Sequence, residues 1–282
     1  LMNRPIDLHC HSTASDGSLT PEELVAYAKA KGAGALALTD HDTIDGLDEF
    51  LEAGRKMGLE TVPGLEISAA YERGTMHILG YYIDHRHAFL LQELSRLQQA
   101  RQERNPKIIA KLKNMGLPLS LEEVYALAKG QIGRPHIALA LVQKGIVSSV
   151  EEAFKKYLTK GGPAYVEKFR FSPVESIRMI SEAGGIPVLA HPFTLNVQDR
   201  KELKKLIEEL KDNGLKGLEV FYPEHTWEQT RTYEALCREL GLITTGGSDF
   251  HGKSQPSIEL LVGKGEMHVP YAILSDLKNL KS

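Results

Sequence analysis

Short apolar runs alternate along this chain with longer stretches in which apolar positions recur every three or four residues. Seven runs have the first character, at residues 6–8, 35–39, 60–66, 76–83, 186–190, 217–222 and 242–246. Their length and β-rich content predict strands, and the amphipathic stretches between them predict helices. Strands and helices in strict alternation point to βα units around a parallel sheet. Two predicted helices open on the same device: Thr20-Pro21-Glu22-Glu23 and Ser172-Pro173-Val174-Glu175 each place a capping hydroxyl before a proline at the first helical position. A third, over 199–213, stops at Gly214, where a left-handed cap would end it.

The rhythm fails between residues 87 and 171, which read as several helices with no convincing strand. Gly116, Gly130, Gly133, Gly145 and Gly161 punctuate this interval at helix-length spacing. The chain is therefore expected to form a barrel-like domain from residues 1–86 and 172–282, carrying an inserted helical subdomain at 87–171. Charge follows the same division. Residues 96–170 hold 14 Lys or Arg against 6 Asp or Glu, a balance of +8, so the remainder carries −11 of the total −3.

The rest of the composition describes an ordinary globular domain, with 42% hydrophobic and 25% charged residues. No apolar run reaches the roughly 18 residues of a membrane span, and the first residues show no basic segment followed by an apolar core, so a cytoplasmic protein is expected. Cys10 and Cys237 are too far apart in sequence to suggest a redox pair or a zinc finger. The net charge predicts neither a duplex-DNA binder nor a membrane binder, and no obligate protein partner is evident.

Chemistry concentrates at the predicted strand ends. His9-Cys10-His11 follows the first strand, and the twofold alternation of extended chain turns residues 9 and 11 to the same side. Asp16 follows in the turn Ser15-Asp16-Gly17-Ser18. His41 ends the second strand, Glu66 the third and His191 the fifth, while Asp249 and His251 follow the seventh. His77 lies near the start of the fourth strand, out of step with the others. Six of the eleven histidines fall in this set, and in βα barrels the strand C-termini converge on the functional face. Imidazole and carboxylate without thiolate suit Mn²⁺ first, with Fe²⁺ or Zn²⁺ as alternatives. Nine ligands are too many for one ion and enough for two or three, an arrangement suited to hydrolysis of phosphate esters by a metal-held hydroxide.

The segments Asp7-Leu8-His9-Cys10-His11-Ser12, Thr39-Asp40-His41-Asp42, Pro63-Gly64-Leu65-Glu66, Met76-His77, Ala190-His191-Pro192 and Gly247-Ser248-Asp249-Phe250-His251 resemble those of the PHP superfamily, the polymerase and histidinol phosphatase phosphoesterases. The resemblance implies a distorted (β/α)7 TIM-like barrel and three ions: one on His9, His11, Glu66 and Asp249; a second on Glu66, His77 and His191; a third on Asp16, His41 and His251. Within the superfamily the chain is most similar to the 3′,5′-nucleoside bisphosphate phosphatases and 5′-to-3′ exoribonucleases, whose insert resembles Gly133-Arg134-Pro135-His136-Ile137-Ala138. That implies a small phosphorylated nucleotide such as pAp, or short 5′-phosphorylated RNA, as substrate. Histidinol phosphate is the alternative substrate, and a non-catalytic regulatory module is the alternative outside enzymes.

For substrate contacts the sequence offers Arg134, whose planar guanidinium suits a phosphate oxygen pair, and His225, placed after the sixth strand. Most of Arg101, Arg104, Lys107, Lys111 and Lys113 are expected on a solvated helix face, with a collective basic rim as the functional alternative. Asp40 and Asp42, on either side of His41, are expected to orient it.

Overall fold

The computed structural model describes residues 4–127 and 132–281. Gly130 lies outside them, as does the side chain of Arg101. Seven strands form one sheet in sequence order: β1 Ile6–Asp7, β2 Ala35–Leu38, β3 Glu60–Ala69, β4 Met76–Tyr81, β5 Ile186–Leu189, β6 Gly217–Phe221 and β7 Ile243–Gly246. The sheet curls so that its first and last strands approach. The Leu8 N–H donates to the Gly246 carbonyl oxygen at 3.2 Å, and Cys10 pairs with Phe250 just beyond.

The parallel expectation holds for six strands and fails for one. β4 runs antiparallel to both β3 and β5. Only six residues separate β3 from β4, and a parallel return needs a crossover of about a dozen. This reversal explains the odd position of His77: the start of an antiparallel strand lies at the same end of the sheet as the finish of its parallel neighbours. Ser68 pairs with His77, and the His77 carbonyl accepts from the Ala190 N–H at 3.0 Å.

Inward-facing Ile6, Ala35, Ala37, Val62, Leu79, Tyr81 and Val188 fill the barrel, and Ile273, Leu274 and Leu277 of the last helix, Ala272–Lys281, join the same cluster. Helices α1 (Pro21–Ala30) and α2 (Leu47–Met57) flank the first three strands. The capping devices form as expected. Thr20 Oγ1 accepts from the Glu23 N–H and Glu23 Oε2 accepts from the Thr20 N–H, and Ser172 with Glu175 repeats the pair at the helix Pro173–Glu182. Among the described residues no helix is long and apolar enough to cross a membrane.

The chain divides into two compact units, residues 1–93 with 170–282, and residues 94–169. The second has its own apolar core, including Ile108, Leu112, Val124, Ile137, Leu141 and Leu158, and its described residues contain helices and no strand. α3 (Ala88–Asn114) crosses the division, followed by α4 (Leu121–Tyr125), α5 (Arg134–Gln143) and α6 (Val150–Ala153).

The basic residues of α3 divide in a way the sequence does not reveal. Lys107, Lys111 and Lys113 are exposed, whereas Arg104 is buried and donates through Nε to the Val166 carbonyl at 2.7 Å. Its guanidinium also lies over the Tyr165 ring, 5.7 Å from the centroid, so it does not belong to a solvated face.

Candidate metal centre

The strand ends of the first unit bring all nine predicted ligand residues together. Glu66, fully buried at the middle of the group, is the common element. Its Oε1 lies 2.7 Å from His77 Nδ1 and 3.1 Å from His191 Nε2, and its Oε2 lies 2.8 Å from His41 Nδ1 and 3.4 Å from both His9 Nε2 and His11 Nε2. Asp249 Oδ1 stands 3.2 Å from His9 Nε2 and 2.9 Å from His11 Nε2. On the other side of His11, Asp16 lies 3.3 Å from His251 Nε2 and 4.0 Å from His41 Nε2. Three groups of atoms are close enough to share an ion: His9, His11, Glu66 and Asp249; His11, Asp16, His41 and His251; and His41, Glu66 and His77. The groups overlap at His11, His41 and Glu66, so the side chains form one continuous cluster.

The donor set fits divalent ions by a direct observation. His9 Nε2, His11 Nε2, Glu66 Oε2 and Asp249 Oδ1 are all buried without a hydrogen-bond partner among the described residues, although each of the two nitrogens stands 2.9–3.4 Å from each of the two oxygens. Each such atom costs about 1–3 kcal/mol if it stays unsatisfied. Ligands about 2.0–2.2 Å from a common ion would be separated by roughly 3 Å, as these atoms are.

Local structure aims these groups. Non-glycine residues with positive φ are uncommon, and Asp42 (φ 52°), His191 (φ 26°) and Asp249 (φ 57°) all belong to the cluster or flank it. Asp7 ties the ligand-bearing segments together: Oδ1 accepts from the Ser248 N–H at 2.8 Å, and Oδ2 accepts from the Ser248 hydroxyl at 2.6 Å and the Leu261 N–H at 2.8 Å. Asp40 accepts from the Ser12 N–H and from the hydroxyls of Ser12 and Ser15, and Asp42 from the Ser68 N–H at 2.8 Å. Asp40 thus braces the loop after β1, a role different from the expected orientation of His41.

Two further residues shape the centre and were missed from the sequence. Glu219, buried on β6, accepts from His9 Nδ1 at 2.8 Å and from the His191 N–H at 2.8 Å. Its signal was a lone acid within an otherwise apolar strand. The Tyr222 hydroxyl donates to Asp249 Oδ2 at 2.9 Å, and nothing in its sequence position marks it. His225 accepts no such place: its Nδ1 donates to the Val220 carbonyl at 2.8 Å, among the rings of Phe193, Tyr222 and Tyr233. Burial lowers its pKa to about 4. In the helical unit, Arg134 donates from Nη1 to the Leu158 carbonyl at 2.7 Å and stacks on Phe154 and Tyr165. His136 Nδ1 accepts from the Gly133 N–H at 3.2 Å.

Charge in the cluster is set by its own members. Burial raises the Glu66 carboxyl, but His77, His41 and His9 outweigh it and hold it well below the usual range. Asp249 behaves likewise beside His9 and His11. Burial lowers His251, yet Asp16 and Asp249 overcome it and raise the ring to about 10, while burial with His251 and His41 lowers His11 to about 3. A folded-state pKa of about 10 against an ordinary 6.5 means that His251 stabilises the metal-free protein fully below pH 6.5, and that this stabilisation fades as pH rises to about 10. Metal binding requires the unprotonated ring. Affinity for Mn²⁺ should therefore climb between pH 6.5 and 9, by up to about tenfold per pH unit for each proton released. Chelator competition across that range measures it, and a flat profile would contradict it.

The sequence pattern of the PHP domain matches residues 7–168 of this chain. That is more than half its length. The chain belongs to the PHP domain family. The PHP chain is 40% identical over 250 residues to the 5′-3′ exoribonuclease of Haemophilus influenzae, covering 89% of this chain and 91% of that protein. It is 34% identical to the 3′,5′-nucleoside bisphosphate phosphatase of Chromobacterium violaceum, covering 89% and 88%. A crystal structure from Bifidobacterium adolescentis superimposes with a TM-score of 0.88 at 31% identity, over 98% of this chain and 96% of that one. The distorted barrel and its His/Asp/Glu centre are thus those of a PHP phosphoesterase.

Proposed function

We propose that this PHP phosphoesterase hydrolyses 3′,5′-nucleoside bisphosphates such as pAp, or short 5′-phosphorylated RNA, with three divalent ions, Mn²⁺ foremost. What carries the proposal is the set of four buried, unpartnered ligand atoms on His9, His11, Glu66 and Asp249. Those residues take the first ion; Glu66, His77 and His191 take the second; Asp16, His41 and His251 take the third. Bound there, the ions would lower the pKa of a water towards neutrality and offset charge on the phosphoryl oxygens. Glu66 would serve both of the first two positions, with Oε1 beside His77 and His191 and Oε2 beside His9 and His11, and Tyr222 keeps the second oxygen of Asp249 engaged so that Oδ1 faces the centre. The names of the relatives and their similarity over nearly the whole chain support the nucleotide substrate class.

Substrate contacts fall to Arg134 and His225. His225 and Tyr222 line a cleft of about 500 Å³ together with Trp227 and Lys264, a volume suited to a small ligand. Arg134 is placed by its stacking on Phe154 and Tyr165 at the first turn of α5, in the segment that resembles the nucleotide-specific relatives. Turnover of pAp, a 5′-phosphorylated RNA trimer and histidinol phosphate, on protein with its Mn²⁺ quantified, tests the substrate class. Preference for histidinol phosphate would overturn it, and failure on every phosphoester would favour a binding module. Replacing Arg134 by alanine should lower kcat/KM for pAp by about 10–100-fold, in line with about 1.5–3 kcal/mol for a charged hydrogen bond, with metal content unchanged. Equal loss of metal and activity would refute the assignment.

A further inference from the structure

We infer that Glu219 couples two of the metal positions, each carboxylate oxygen holding a ligand of a different ion. The inference rests on the three-ion assignment above. Glu219 lies in β6 with no solvent exposure, where an acid is costly to bury unless its oxygens are satisfied. Oε1 takes the His9 Nδ1 bond and Oε2 the His191 backbone N–H, both at 2.8 Å. Through Oε1 it acts on the first position, and through Oε2 on the second.

The two bonds do different things. A carboxylate accepts only, so the bond to a neutral His9 keeps the ring proton on Nδ1 and leaves the Nε2 lone pair towards Glu66 Oε2 and Asp249 Oδ1. The bond to His191 anchors a residue at φ 26°, outside the conformations that L residues adopt readily. With its backbone so held, His191 places Nε2 3.1 Å from Glu66 Oε1. The two imidazoles also stack, centroids 5.8 Å apart and planes 21° apart, so displacement of either ring reaches the other.

Glutamine at this position separates positioning from packing. Glu219→Gln keeps the shape but offers one acceptor oxygen and one N–H₂ group. With the oxygen towards His9, the amide group meets the His191 N–H, donor against donor. Turned over, it donates to His9 Nδ1, which drives the ring proton to Nε2 and blocks that ligand. One ligand is lost directly in either orientation, and the ring stack carries the disturbance to the second.

The experiment measures bound Mn²⁺ by elemental mass spectrometry and Mn²⁺ affinity by chelator competition, on wild type, Glu219→Gln, Glu219→Ala and Asp16→Ala. The expected result is about 10–100-fold weaker binding at two positions in both Glu219 variants, so that they retain one ion where wild type holds three and Asp16→Ala holds two. Should Glu219→Ala fail to fold, as judged by circular dichroism, the isosteric Glu219→Gln carries the test. Wild-type metal content in Glu219→Gln would show a packing role and overturn the inference, as would loss of a single ion. Those two results leave the three-ion assignment standing. A wild-type protein that itself holds one ion would overturn both together.

Discussion

Glu66→Gln protein should lose at least one equivalent of bound metal and about 10³-fold or more in kcat/KM, while remaining folded. Five histidine rings converge on the two oxygens of this one carboxylate. The substitution preserves volume and removes the charge that both adjoining ion positions share. A divalent ion contributes several kcal/mol to a phosphoryl transition state, and each 1.36 kcal/mol is a factor of ten in rate. Elemental analysis and steady-state kinetics on the same preparation check the result. Full metal content with unchanged turnover would remove Glu66 from the centre. Asp48→Asn, at an exposed acid that pairs with His85 and Arg86, is the matched control and should leave both quantities near wild type.

The second large effect is expected from Gly247→Ala, a substitution that alters no ligand. A Cβ at Gly247 would collide with the backbone nitrogen, Cα and Cβ of His9, so the segment carrying Asp249 could no longer lie against the segment carrying His9. The Gly247 N–H also donates to the Phe221 carbonyl at 3.0 Å, and the Asp249 N–H to the His9 carbonyl at 2.8 Å, which leaves the crossing little freedom to shift. Overpacking a tight site costs about 1–3 kcal/mol. Thermal melting should show that loss in the metal-free protein, and any stabilisation gained on adding Mn²⁺ should shrink as well, since His9 and Asp249, proposed to share an ion, lose their mutual placement. A variant with wild-type melting temperature and metal content would show that the two segments can part without consequence.

Most of the centre was legible because metal ligands combine chemical identity with position. His9 and His11 could be placed on one side of the chain by alternation alone, and His41, Glu66 and His191 stood out as polar residues closing apolar runs. Direction was less legible. Alternation with period two looks the same in a parallel and an antiparallel strand, so β4 read as one more βα unit and His77 as an anomaly. The short stretch between β3 and β4 was the available signal. Arg104 shows the converse problem: a cation on a helix suggests a solvated face, and its burial involves tertiary contacts such as those with Tyr165 and Val166, the latter 62 residues away in sequence.

The sequence by itself determined the strand and helix pattern, the helix caps, the types of ligand and hence the class of chemistry, because each depends on residue identity and local periodicity. Tertiary structure decided which ligands share atoms, how Glu66 stands among five rings, and which groups hold the ligands in place. Glu219, Tyr222 and Gly247 matter through distances to His9, His191 and Asp249 that are set by the curl of the sheet. Such distances link residues far apart along the chain, and no local pattern encodes them.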